Sequence, residues 1–156
     1  MNIIRKFQPL DFPLVIDIER KVFNEHDPFF YMKVYETCSD GFIVAEVNRI
    51  VVGFAVGFLA QEGTGRIFSL AVHPLYQNRG MGSALLKEII DVFTKSGVAE
   101  VVLEVRLGNF KAKRFYERHG FEETGIAEKY YNDGESAFLM KLNIISQIRS
   151  HSSVAP

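Results

Sequence analysis

Leu70-Ala71-Val72-His73-Pro74-Leu75-Tyr76-Gln77-Asn78-Arg79-Gly80-Met81-Gly82-Ser83-Ala84-Leu85-Leu86 decides how this chain is read. The stretch joins an apolar strand over 66–72, ended by His73-Pro74, to an amphipathic helix over 83–95. Leu85, Leu86, Ile89, Ile90 and Phe93 recur at helical spacing and form the apolar stripe of that helix. Ser96-Gly97 closes it, and 101–105 reads as a further strand. Strand, helix and strand in that order predict a parallel pair joined by a helical crossover.

Upstream, 3–7 reads as a short strand. Asp11 as N-cap and Pro13 early in the helix open a segment in which Leu14, Val15, Ile18 and Val22 keep helical spacing. Residues 23–30 form a polar, irregular break, and a short helix follows over 30–36. Strands over 42–46, 50–59 and 66–72 are separated by turns at Asn48-Arg49 and Gly63-Thr64-Gly65, which predicts an antiparallel meander. Downstream, a helix over 109–119 is closed by Gly120, an extended segment starts at Phe121-Glu122, and 137–142 is the last strand. The fold class is α/β with a mixed sheet. One domain is expected over 1–142, with 143–156 as a C-terminal tail. Gly53 and Gly57 lie inside a predicted strand, where sequence assigns them no purpose.

Composition narrows the function. At 156 residues with 47% hydrophobic side chains, the chain suffices for one core-bearing domain. Lys and Arg number 18 against 19 Asp and Glu, a net charge of -1, so the broad basic footprint of a nucleic-acid binder is missing. The longest apolar run, 50–60, falls short of the roughly 20 residues of a spanning helix, so no membrane partner is expected. The single cysteine, Cys38, allows no internal disulfide and reads as a buried or half-buried thiol. A cytoplasmic protein is the expectation. His73, before Pro74, reads as a turn residue, and the four histidines lack close metal-ligand spacing, so no metal is expected.

Gln77-Asn78-Arg79-Gly80-Met81-Gly82-Ser83 stands where a helix begins. The first N–H groups of a helix have no partner inside it, and with the helix dipole they favour an anion. Gly80 and Gly82 let a ligand approach the backbone, and Arg79 adds charge. This suits a pyrophosphate. No Gly-Lys-Ser/Thr is present, and Leu85 stands where a dinucleotide fingerprint needs its third glycine. On spacing alone, a glycine turn that merely lets the helix pack on the sheet is an equal reading.

Leu70–Leu86 resembles motif A of the GCN5-related N-acetyltransferases (GNAT), whose pattern is Gln/Arg-x-x-Gly-x-Gly/Ala. Asn109, Ala112, Phe115-Tyr116-Glu117 and Gly120-Phe121 resemble the family's second signature, and the element order agrees over about 3–142. The resemblance implies acetyl-coenzyme A as cofactor and a fold in which the fourth strand splays from the fifth. It places Leu70, Ala71 and Val72 along the pantetheine arm. It places Gln77, Asn78, Arg79, Gly80, Met81, Gly82 and Ser83 at the pyrophosphate, Asn109 against the arm and Tyr116 near the sulfur as general acid. Lys111, Lys113, Arg114 and Arg118 offer charge to the phosphates, though each alone reads as part of a solvated basic face.

Amine acetylation needs a base for the amine proton. Glu104 lies in the otherwise apolar Val101-Val102-Leu103-Glu104-Val105, and burial raises a carboxyl's proton affinity. Arg106 points to the same strand face. An ion pair with it would make Glu104 a poor base, so chemistry alone leaves the two readings open. Leu103-Glu104-Val105-Arg106 with Asn109 resembles the branch that acetylates ribosomal-protein N-termini, and that resemblance implies Glu104 as base, directly or through water. Tyr130-Tyr131-Asn132-Asp133-Gly134 resembles the last hairpin of N-terminal acetyltransferases, which implies that Tyr130 and Tyr131 clamp the acceptor; two ordinary hairpin side chains, one facing in and one out, are the other reading. Residues 23–28, with Phe23, Asn24 and Glu25, would form the opposite wall. His26, in the same loop, is a lesser candidate. The expected partner is a peptide or protein N-terminus, ribosomal proteins included, with the enzyme a monomer or homodimer. A small amine (polyamine, antibiotic or metabolite), a lysine, or a non-enzymatic acetyl-coenzyme A-binding module are the alternatives.

Overall fold

The structure is a computed structural model and describes residues 2–144. It divides into two compact units, one of residues 2–58 and 67–95, the other of 59–66 and 96–144. Seven strands are ordered β1-β2-β3-β4-β5-β7-β6.

The first unit opens with β1 (Asn2–Lys6), followed by α1 (Phe12–Val22) and α2 (Pro28–Cys38). Asp11 stands at the N-cap position of α1 but makes no capping bond. Its carboxylate instead accepts from both terminal nitrogens of Arg5, at 2.7 and 2.9 Å, and from the Gln8 N–H at 2.8 Å. The second helix starts earlier than the periodicity predicts, at Pro28, because the Asp27 side chain accepts the Phe29 N–H at 2.9 Å and Pro28 is suited to the first helical position. It ends on Cys38, which is exposed; the expectation of a buried or half-buried thiol is corrected, since the apolar face of α2 is carried by Tyr31 and Val34.

β2 (Phe42–Val47) pairs antiparallel with β1 on one side and with β3 (Ile50–Gln61) on the other. Asn48 (φ 49°) and Arg49 (φ 68°) make the tight turn between β2 and β3, with a bulge at Ala45/Glu46. β4 (Thr64–Val72) follows after a turn that includes Gly63 (φ 77°), so Thr64 and Gly65 belong to the strand rather than the turn. α3 runs over Met81–Lys95 and buries Leu85, Leu86, Ile89 and Phe93. Phe7, Ile18, Tyr31, Phe42 and Phe54 centre the core of this unit, with Phe7 stacked on Phe42 at 4.0 Å.

Two glycines have purposes that only the fold reveals. A β-carbon on Gly41 would run into the backbone carbonyl of Gly57, and one on Gly53 would lie 3.0 Å from the Ala71 carbonyl oxygen and 3.1 Å from Leu85. Close backbone approach explains Gly53 inside a strand and Gly41 ahead of β2.

In the second unit, Thr64, Gly65 and Arg66 of β4 pair in parallel with Glu100, Val101 and Val102 of β5 (Glu100–Arg106). This is the parallel pair predicted from the strand–helix–strand order. α4 (Phe110–Arg118) follows, capped by the Asn109 side chain, which accepts the Ala112 N–H at 3.1 Å. β7 (Ala137–Asn143) lies antiparallel between β5 and β6 (Glu122–Ala127). The expected tail lies outside the described residues beyond Ile144. No helix among the described residues is long and apolar enough to cross a membrane.

Candidate active site

In the first unit, β4 ends on the buried Ala71 and Val72, with Leu70 half-buried. The loop to α3 is shaped by hydrogen bonds from its own side chains. His73 Nδ1 accepts the Leu75 N–H at 3.1 Å, as expected of a turn residue. Gln77 Nε2 donates to the Val72 carbonyl at 2.9 Å, folding the loop back onto the strand end. Asn78 (φ 63°) and Gly80 (φ 83°) are both left-handed, and a β-carbon on Gly80 would meet nothing within 4 Å. Gly80 therefore serves the turn. The first bond of the helical ladder runs from the Ala84 N–H to the Gly80 carbonyl at 3.0 Å, so the N–H groups of Met81, Gly82 and Ser83 precede the ladder. The helix starts two residues before the predicted Ser83, which puts Gly82 in its first turn. Backbone N–H groups, a helix of 15 residues behind them and a glycine among them fit a pyrophosphate. Arg79, a charge in the same loop, lies with its guanidinium 5.4 Å from the Tyr76 ring.

The α1–α2 segment also lies in this unit. Asn24 and Glu25 are exposed and Phe23 is half-buried. Asn24 is left-handed at φ 54°. Every one of these residues is tied to Glu19, a 1% exposed carboxylate that sequence reasoning passed over. The available signal was its spacing: Glu19 stands four residues after Val15 and one after Ile18, on the apolar face of α1.

In the second unit, β5 carries Glu104 with its side chain 14% exposed. Burial pushes its carboxyl above the ordinary carboxylate value, and Arg66 and the Tyr130 hydroxyl only partly offset this. Arg66 Nη2 lies 2.6 Å from Glu104 Oε1 and donates to the Tyr130 hydroxyl at 2.5 Å; that hydroxyl donates to Glu104 at 3.3 Å. The expected alternative partner, Arg106, is otherwise engaged. It pairs with Asp133 at 2.9 Å and Glu135 at 2.7 Å and lies 4.0 Å from the Tyr131 ring centre. Two carboxylates on the β6–β7 connection therefore take Arg106 from Glu104. Glu104, Tyr130 and Arg66 come together as one group, with Tyr131 edge-on to Tyr130 at 4.9 Å. Sequence could not supply Arg66, because its contact depends on the parallel register of β4 and β5.

Tyr116 faces inward from α4, 8% exposed, against Phe115 and Phe121. Burial drives its phenol far above the ordinary value. Of the basic residues on α4, Lys113 lies 3.0 Å from Glu123 and packs on the Phe138 ring, so it has a structural role. No group of three or more His, Cys, Asp or Glu suited to a metal occurs among the described residues.

The model of the acetyltransferase (GNAT) family matches residues 9–121. An uncharacterized N-acetyltransferase of Methanocaldococcus jannaschii is 40% identical over 88% of this chain and 89% of its own. An N-alpha-acetyltransferase of Sulfurisphaera tokodaii is 35% identical, covering 88% and 90%. The ribosomal protein bS18-alanine N-acetyltransferase of Escherichia coli is 33% identical, covering 92% and 99%. Among solved structures, Ard1 from Thermoplasma volcanium superposes with a TM-score of 0.88 at 30% identity, covering 92% of this chain and 97% of that one. A glycine turn opening α3 and a buried carboxylate on β5 thus sit within the stretch, 9–121, that matches one family, and this protein belongs to the acetyltransferase (GNAT) family as an N-acetyltransferase that uses acetyl-coenzyme A.

Proposed function

We propose that the acceptor is the N-terminal α-amine of a peptide or protein, with Glu104 as general base. The observation that carries this reading is the state of Glu104: a mostly buried carboxyl, raised by burial, beside Tyr130. A moderate base suits an α-amine. With a pKa of about 8, an α-amine is roughly a tenth free base at neutral pH, whereas lysine at about 10.4 is nearly all charged. The relatives that act on protein N-termini support the same acceptor, and the one that acts on a ribosomal protein makes ribosomal proteins part of the proposal.

The chemistry requires one bond exchange. The acceptor nitrogen attacks the thioester carbon, the C–N bond forms and the C–S bond breaks. Glu104 takes the proton from nitrogen, directly or through one water. Tyr116 faces the leaving sulfur. Because burial raises its phenol, full proton transfer to a thiolate is uphill, and Tyr116 acts best as a hydrogen-bond donor. Gln77, Asn78, Arg79, Gly80, Met81, Gly82 and Ser83 hold the pyrophosphate, Leu70, Ala71 and Val72 line the pantetheine arm, and Asn109 contacts that arm. Tyr130 and Tyr131 meet the first residues of the acceptor, as do Phe23, Asn24 and Glu25. The same proposal takes residues 1–142 as the catalytic domain of a cytoplasmic monomer or homodimer. Acetylation of a mixed peptide library, with mass spectrometry locating each acetyl group, tests it. Acetyl on N-terminal amines is expected; acetyl only on lysines or small amines refutes the acceptor.

A further inference from the structure

Glu19 is a buried carboxylate that the reaction does not use. Its Oε1 accepts the Tyr31 hydroxyl at 2.6 Å and is bound by His26 Nδ1, and its Oε2 accepts the Glu25 N–H at 3.1 Å. Its backbone carbonyl accepts the N–H groups of Phe23 at 2.9 Å and Asn24 at 2.7 Å. One residue therefore fastens four consecutive positions, 23 to 26. Phe23 packs against the edge of the core, but Asn24 and Glu25 are exposed and have no such anchor of their own. The His26 ring completes the attachment by lying 4.7 Å from the Phe68 ring of β4.

Stability alone does not account for a carboxylate here. Apolar residues in place of Glu19, Tyr31 and His26 together would complete the stripe formed with Val15 and Ile18, and such wholesale apolar replacement of a buried ionic cluster is often neutral or stabilising, whereas removing Glu19 alone strands its partners. What the carboxylate provides is geometry, a fixed path for a segment that would otherwise have many. We propose that Glu19 is a positioning residue, which sets the shape of the 23–25 wall and thereby which first residues of the acceptor are admitted. This rests on reading that wall as part of the acceptor site.

Glu19→Gln tests it while keeping size and shape. Glutamine offers one acceptor oxygen and one donor group. Facing the oxygen to Tyr31 and His26 sets a donor against the Glu25 N–H; the flipped amide sets a donor against Tyr31. Two readouts are taken on the full chain: hydrogen exchange at the Glu25 amide, and kcat/KM for two peptides that differ only in an Ala or Met first residue. Exchange should rise about tenfold, and the Ala/Met ratio should change about fivefold, as expected for loss of about one buried hydrogen bond. KM for acetyl-coenzyme A should stay unchanged. Tyr31→Phe, which removes one donor, gives the same changes on a smaller scale and replaces Glu19→Gln if that variant fails to fold. An unchanged exchange rate, or a uniform fall in activity at a constant ratio, overturns the proposal. If the wild type acetylates no peptide α-amine, the acceptor reading fails instead, and the exchange measurement still decides the role of Glu19.

Discussion

Arg66 beside Glu104 makes a prediction about pH. The carboxyl must be ionised to accept a proton, so kcat/KM falls on the acid side as Glu104 becomes protonated. Burial raises that protonation point and the guanidinium 2.6 Å away lowers it. Replacing Arg66 with Met removes only the lowering influence, so the acid limb must move to higher pH. Two unit charges about 4 Å apart interact by about 1 kcal/mol in water and about 4 kcal/mol at an effective dielectric of 20. One pKa unit is about 1.4 kcal/mol, so these bounds are about 0.7 and 3 units. Arg66 is 32% exposed, and solvent screens it toward the lower bound. The expected shift is therefore about one unit upward. The assay is kcat/KM against pH with one peptide acceptor, so that the amine's own titration is common to both enzymes. Arg66→Lys, which keeps the charge, should leave the limb near its wild-type position, and Arg66→Met in a Glu104→Gln background should produce no shift. The groups facing Glu104 are Arg66 from β4 and Tyr130 from the β6–β7 connection, with Arg106 on its own strand already paired to Asp133 and Glu135. An unmoved limb, a downward shift, or a shift that persists without Glu104 refutes the reasoning.

Three further outcomes follow from the same geometry. Gly82→Val, which sets a branched side chain in the first turn of α3, should weaken acetyl-coenzyme A binding measured by calorimetry by at least about tenfold; unchanged affinity would contradict the cradle. Tyr116→Phe should lower kcat by about 100-fold with little change in KM, as loss of one donor to the developing thiolate charge predicts, and equal turnover would remove the phenol from the reaction. Asp11→Asn should cost about 2 kcal/mol in urea unfolding at neutral pH, since the charge facing Arg5 is lost and one of the two acceptor oxygens becomes a donor. Arg5 and Gln8 hold the Asp11 carboxyl below its ordinary value despite burial. The stabilisation is therefore present above the unfolded pKa and lost as pH falls through the folded one, so wild type and variant should converge in acid.

What sequence reveals here is mostly local. The helix stripe of α3 and the Asn48-Arg49 turn depend on neighbours within a few residues, and each is found as expected; the Asn109 cap is as local but is not among the sequence expectations. Asp27-Pro28 carried an equally local signal that a polar-run reading hides. Partnerships across strands are different. Glu104 and Arg106 share a strand face, as the period of two requires, yet Arg106 turns to carboxylates 27 and 29 residues away and Glu104 to an arginine 38 residues upstream. The register that decides this is set by packing of the whole sheet. Gly53 and Glu19 show the same limit: residue type marks them as unusual for their element, but the backbone or side chain each one faces comes from tertiary structure.

A single peptide bearing both a free N-terminal α-amine and an internal lysine, incubated with the enzyme and acetyl-coenzyme A and sequenced by fragmentation mass spectrometry, tests the central claim most directly. Acetyl on the α-amine, lost in the Glu104→Gln enzyme, is the predicted result. Acetyl on the lysine with the α-amine left free would contradict it.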